Sequence, residues 1–319
     1  MAVALAALAV GMIVGHGSLQ DLGLRDTLLR LRAARVSAAF LTGAALACSG
    51  AVVQALFRNP LVDPSILGTT AGASLGGQAA LLTLHFLPVW LPLPHLLPEL
   101  VVPLGCLAGA LVALLIVLAV TERRQSLLIV LLTGFTLSSL FLSFGGFLLS
   151  LGQESWEVSR ALVAFSLGGL GGIELQQLLL ALPLVAGGVM AARFWSGPLD
   201  LLLTGEDEAR SLGLDVRETR RWSVVWVAFM TAAAVSLGGN IGFVGLIVPH
   251  ALRPFVGVLN RHLVLTAAIS GGVFVVLCDA LSRALPSRSE IPIGVITGLI
   301  GAPVFLFLLY RSFRESERG

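Results

Sequence analysis

The chain has 319 residues, of which 56% are hydrophobic and 12% charged, with a formal net charge of +2 and a mean hydropathy of +0.95. That much apolar surface cannot be hidden in one soluble core, which excludes an ordinary water-soluble domain and makes lipid the solvent. All 20 Lys and Arg positions are arginine; with no lysine there is no Walker A loop and no Schiff base, so any ATP that drives this chain is bound by another one.

Apolar stretches long enough, or nearly so, to cross a membrane recur along the whole length, about ten of them. They cover 1–14, 34–57, 65–84, 100–120, 127–151, 175–195, 222–238, 243–257, 263–284 and 293–310. This predicts an all-α polytopic membrane protein forming a single transmembrane domain over 1–319. The first and eighth stretches are short and read either as tilted or trimmed spans or as partly re-entrant elements. The first lacks the basic flank of a signal peptide and reads as a span that starts abruptly.

Residues 15–35 form a polar link with four arginines, Arg25, Arg30, Arg32 and Arg35. The run Gly43-Ala44-Ala45-Leu46-Ala47-Cys48-Ser49-Gly50 follows. Small residues let membrane helices approach closely, so this span belongs at the centre of the bundle. It stops at Arg58-Asn59-Pro60-Leu61-Val62-Asp63-Pro64, where two prolines end the helix. Residues 85–99 read as an external loop whose His85 and His95 are either solvated or a mouth for haem or metal capture. Thr121 to Gln125 make a turn on the opposite side. Thr133, Thr136, Ser139 and Ser143 then form a mildly polar stripe at helical spacing. Such hydroxyls either bond back to their own helix or line a water-filled path. Residues 152–174 are too polar to span and predict a short external helix and a loop.

The segment 200–221 packs ten charged side chains into 22 residues amid apolar sequence. Thr204 or Gly205 can cap a short helix with Glu206, Asp207 and Glu208 in its first turn, where the helix dipole favours acids. Arg210 follows, Ala209 and Leu212 share one face, and Gly213 suits the position after the helix. A second short turn runs from Asp215 to Arg221. A capped helix of this kind between spans is a water-side element built to touch a partner.

Farther on, Gly238 to His250 is glycine-dense with an internal Pro249, which marks a broken or kinked membrane element. His250 and Arg253 are ionisable groups near a span end, structural or functional. Asp279 and Arg283 stand at i, i+4, spaced for a local ion pair. Glu290 and Pro292 begin the last stretch, which Pro303 kinks. Cys48, Cys106 and Cys278 lie apart in apolar sequence, without metal-site spacing. No basic and aromatic stretch points to nucleic acid.

An even number of spans puts both termini on one side. Thirteen of the 20 arginines then share that side, with Arg25, Arg30, Arg32, Arg35, Arg160, Arg283 and Arg288 opposite. The positive-inside rule makes the termini cytoplasmic.

Four segments together carry a resemblance: "GAALACSGAVVQALFRNPLVDPSILGTTAGASLG" within 32–76, "GEDEARSLGLDVRETRR" at 205–221, "GNIGFVGLIVPHALRPFVG" at 239–257 and "DALSRALPSRSEIPIGVITGLIGAP" at 279–303. In this order and spacing the chain resembles the permease subunits of bacterial ABC importers for vitamin B12, haem and iron siderophores, the FecCD-type or type II importer family. The resemblance implies a bacterial cytoplasmic (inner) membrane protein of about ten helices, paired as a homodimer in lipid. It implies an ABC ATPase subunit on the inner side, carrying the ATP and Mg, and an extracytoplasmic substrate-binding protein outside. This chain itself would bind no cofactor and catalyse nothing. Gly205 to Gly213 match the family's coupling helix, and Arg32, Arg35 and Arg283 match its binding-protein docking arginines. Two departures stand out: a short first span, and Ala33-Ala34 where the family carries a proline between the paired arginines. The implied cargo is an iron chelate, a ferric siderophore or haem, with vitamin B12 as the alternative. An ion-coupled secondary transporter would need acids buried at mid-membrane, and only Asp279 comes near.

Overall fold

A computed structural model describes residues 2–14, 25–86, 98–121, 127–285 and 290–316. The described residues form thirteen α-helices: α1 (Ala2–Ile13), α2 (Arg25–Leu56), α3 (Thr69–Phe86), α4 (Pro98–Thr121), α5 (Leu127–Leu151), α6 (Trp156–Ser166), α7 (Leu175–Phe194), α8 (Ser196–Leu202), α9 (Glu206–Ser211), α10 (Val216–Gly238), α11 (Val244–Val256), α12 (Asn260–Ala284) and α13 (Ile293–Ser316). Each of the ten apolar stretches coincides with one of them. Seven helices are long and apolar enough to cross a membrane, and α1 and α11 are apolar but shorter. The remaining one, α3, carries Thr69, Thr70, Ser74 and Gln78, all buried, so it faces protein rather than lipid along that side.

Helix α2 is the axis. Every residue from Thr42 to Leu56 is buried, packed by α7, α10, α11 and α12. Its small residues are what allow this: a Cβ on Gly50 would overlap the Gly245 carbonyl of α11, and one on Gly43 the Gly271 carbonyl of α12. Without a hydrophobic drive between helices in lipid, such backbone contact supplies the packing.

The polar link differs from expectation. Its second half is helix: α2 starts at Arg25 and runs unbroken through Ala33-Ala34. Alanine favours the helix and no proline interrupts it. At 32 residues, α2 is about 48 Å long, well beyond a ~30 Å hydrocarbon core, so its first turns overhang the bundle. Span seven likewise begins earlier, at Val216 rather than 222.

Residues 239–256 are the broken element. After α10 ends, Gly239 and Phe243 adopt positive φ of 67° and 68°, and α11 starts only at the level of Gly50. Its 13 residues cover about 20 Å, less than a full crossing. The predicted external helix, α6, closes the chain over this gap: Asn240 N–H donates to the Phe165 carbonyl at 3.1 Å and Ile293 N–H to the Gly168 carbonyl at 2.7 Å.

Pro249 lacks an N–H, so the Gly245 carbonyl loses its helical donor. Gln54 of α2 replaces it, its Nε2 donating to the Gly245 and Leu246 carbonyls at 3.2 Å each. Arg253 in turn donates to Gln54 Oε1 at 2.9 Å. Arg253 thus has a structural task, binding α11 to α2. Where α2 ends, Asp63 caps a short 3₁₀ turn by accepting from Ser65 N–H at 2.9 Å; burial pushes its carboxyl up from the usual range, against that hydrogen bond.

Candidate functional site

Two ends of the bundle gather the polar chemistry. One holds the charged segment with the ends of α2, α4 and α11; the other holds the ends of α1 and α12 with the start of α13.

In the charged segment the structure makes a knuckle of α8, α9 and the base of α10. Gly205 precedes α9 with φ 128° and ψ 155°, and offers no side-chain cap. Only glycine takes that conformation without strain, and a Cβ there would strike the Glu208 carboxylate. Glu206, Asp207 and Glu208 fill the first turn as expected. Gly213, at φ 86°, ends the helix in a Schellman motif: its N–H donates to the Arg210 carbonyl at 2.9 Å and the Leu214 N–H to the Ala209 carbonyl at 3.0 Å.

Leu212 departs from the sequence reading. Ala209 is 0% exposed, but Leu212 is 64% exposed. Helix α9 stops at Ser211, so Leu212 leaves the face that Ala209 occupies, and the Schellman turn sends Leu214 back to the core instead. Nor is 215–221 a separate turn. It is the first two turns of α10, capped by Asp215, whose carboxylate accepts from Glu218 N–H at 2.9 Å. The two helices are tied by Glu206, which reaches Arg220 at 2.6 Å and Arg210 at 3.6 Å. Asp200 of α8 anchors the knuckle to α12, accepting from Asn260 N–H at 2.5 Å and Nδ2 at 2.9 Å. Asp207, Glu208, Arg210, Ser211 and Leu212 remain exposed.

The other end brings Arg32, Arg35 and Arg283 together, but turned inward. Arg32 and Arg283 are each 6% exposed. Arg32 donates to the Met12 and Ile13 carbonyls at 3.0 and 3.1 Å. Arg283 donates to the Gly11 carbonyl at 2.9 Å and to that of Val14. Both therefore cap the C-terminal end of α1, where helix carbonyls lack partners. Arg283 also pairs with Asp279 at 2.8 Å, the local ion pair that the i, i+4 spacing suggests. Arg35 bridges the buried Asp279 at 2.8 Å and the exposed Glu290 at 2.7 Å.

On α5, the hydroxyls of Thr136, Ser139 and Ser143 donate to the carbonyls four residues back, at 2.8, 3.0 and 2.9 Å. These three side chains are exposed, and Thr133 is half-buried beside them. The bonds satisfy each donor and leave the oxygen lone pairs facing outward. Among the described residues no group of three or more His, Cys, Asp or Glu could hold a metal. His85 ends α3 exposed; His95 and 122–126 lie outside the described residues.

Sequence reasoning missed Gln54, Asp200 and the Glu206–Arg220 tie. A lone glutamine in an apolar helix, opposite a proline-containing one, is the signal that could have found the first.

The profile of the FecCD transport family matches residues 3–311. The chain belongs to that family. Among its relatives, the "Cobalamin import system permease protein BtuC" of Halobacterium salinarum is 39% identical over 88% of this chain and 72% of its own. The "Fe(3+) dicitrate transport system permease protein FecD" of Escherichia coli is 34% identical over 89% and 85%. The "Vitamin B12 import system permease protein BtuC" of Salmonella typhimurium is 37% identical over 89% and 84%. A solved structure described as an inward-facing conformation of a metal-chelate type ABC transporter superposes with a TM-score of 0.83 at 29% identity, covering 97% of this chain and 96% of that one. As a FecCD permease, the chain is a membrane-spanning transport subunit, and its fold is that of an ABC transporter's transmembrane part.

Proposed function

We propose that this chain imports an iron chelate, a ferric siderophore or haem, from the periplasm or cell exterior to the cytoplasm, driven by a separate ABC ATPase that carries the ATP and Mg. The observation that carries this reading is the knuckle. It presents Asp207 and Glu208 of α9, and Leu212 just past its end, to water, on a segment held by the Schellman turn and the Glu206–Arg220 tie. An exposed leucine ringed by charge suits a groove on a partner, and its rigid mounting suits force transmission. Both termini are cytoplasmic in this reading, on the knuckle's side. Two copies pair in the inner membrane, with the hydroxyl faces of α5 lining the path between them. A path of hydroxyls and apolar groups selects little, so the extracytoplasmic binding protein chooses the cargo. That protein docks where Arg35 and Glu290 reach the surface; engaging Arg32 and Arg283 as well would release the end of α1. No part of the reading needs catalysis or a cofactor on this chain, or nucleic acid.

The test is replacement of Glu206, Asp207 and Glu208 by alanine in the assembled transporter. Binding-protein-stimulated ATP hydrolysis should fall at least several-fold; unchanged coupling would remove the role given to the knuckle. Cobalamin is the second reading, favoured by the 39%-identical relative. Uptake of labelled ferric siderophore or haem against labelled cobalamin, by cells carrying the intact system, separates the two.

A further inference from the structure

Helix α9 packs on α8 and on α10, so movement of the knuckle enters the bundle through these two. From α10 it reaches α2, α3, α4 and α7; α12 is met by α8. The joint between α8 and α12 is a helix cap supplied by another element. The first N–H groups of a helix have no partner within it. Leu259, at the cap position of α12, makes no side-chain cap bond. Asp200, 60 residues earlier at the end of α8, takes that role. Its Oδ1 accepts from Asn260 N–H at 2.5 Å and from Asn260 Nδ2 at 2.9 Å. A negative charge also suits the start of a helix. Asn260 is 1% exposed, and its own Oδ1 meets no donor among the described residues.

Beyond this joint α12 runs for 25 residues without a proline, about 38 Å. Its last turns carry Asp279 and Arg283, paired at 2.8 Å, and Asp279 also takes Arg35 of α2 at 2.8 Å. One helix therefore has the knuckle at its start and the outer arginine cluster at its end. A cap that only stabilised α12 could stand next to it in sequence, as Asp63 and Asp215 do for the elements they precede. Placed on α8, it ties two helices so that they move together. We infer that Asp200 is a positioning residue for coupling: the Asp200–Asn260 joint delivers displacement of the knuckle to α12, and so to the outer cluster. This rests on the knuckle being the contact for the ATPase.

ATP hydrolysis by the assembled transporter, measured per folded complex with and without the binding protein, tests the joint. Asp200→Ala should cut the binding-protein-stimulated rate several-fold. The ATPase subunit concentration for half-maximal rate should stay where it is, because the carboxylate is turned to α12. Asn260→Asp, which sets two carboxylates against each other at about pH 8, should act in the same direction. Adding Asp200→Asn to it restores an acceptor for the N–H and an amide–carboxylate pair. The exchanged protein should then recover most of the loss, which decides the matter if Asp200→Ala does not fold. Full stimulation in the folded single variants, or an exchanged pair no better than Asn260→Asp alone, would overturn the inference. A raised half-maximal concentration would overturn it too, as the mark of a lost contact with the ATPase. The protein with alanine at Glu206, Asp207 and Glu208 separates the two readings. If it keeps its coupling, the role of the knuckle falls; if it loses coupling while Asp200→Ala does not, only the joint falls.

Discussion

At Arg283 a large desolvation cost meets an unusually full set of partners. A charge taken out of water is expensive unless it is paired and hydrogen-bonded. Here the guanidinium pairs with Asp279 and donates to two carbonyls at the end of α1. Arg283→Ala strips α1 of these donors and leaves Asp279 to Arg35 alone. We expect a loss of about 3 kcal/mol, in the range for breaking a buried pair, read as a lowered thermal midpoint of the solubilised protein. Lysine should rescue little, since a point charge cannot reach both the carboxylate and the helix end. Gln54 is a second such residue. Gln54→Leu keeps the volume but orphans the Gly245 carbonyl and the Arg253 guanidinium. It should cost about 2–3 kcal/mol by the same measurement, the penalty for buried polar groups left without partners. Gln54→Glu, which still accepts from Arg253 but cannot donate to the carbonyl as a carboxylate, should not restore the loss.

Among the elements, α9 is the one whose shape depends on single backbone positions. Six residues are too few to hold a helix by propensity. The Gly205 entry, the Schellman exit and the Glu206–Arg220 tie hold it instead. Gly205→Ala forces a side chain into a conformation that costs on the order of 1–3 kcal/mol, beside a carboxylate it would strike. That strain falls on α9, not on the core. The expected outcome is a several-fold drop in transport-coupled ATP hydrolysis with little change in the thermal midpoint of the permease.

For the whole molecule, the decisive property is which end faces the cytoplasm. Two contact sets already sort the ends: Asp200 with Asn260 and Gln54 with Arg253 at one, Arg35 with Glu290 and Arg32 with the end of α1 at the other. The three native cysteines are buried, so a new one reports alone. Ser211→Cys, on the exposed face of α9, should react with an impermeant maleimide in inside-out vesicles and not in intact cells. Labelling of intact cells would invert the orientation.

By itself the sequence determined the solvent, the number and order of the apolar helices, the central place of α2 and the position of the knuckle. Each of these follows from local composition: hydropathy over a span's length, small residues in a row, acids after a glycine. It could not determine where helices overrun their apolar stretches, because Arg25 to Arg35 and Val216 to Arg221 continue as helix through charged sequence, on which hydropathy is silent. Nor could it say which way the outer arginines point. Arg32 and Arg283 are basic residues near span ends in any linear reading, and only tertiary structure brings the bare carbonyls of α1 within their reach. The same holds for Gln54 and Pro249, about two hundred residues apart, whose hydrogen-bond deficit and its remedy meet only when α11 folds against α2.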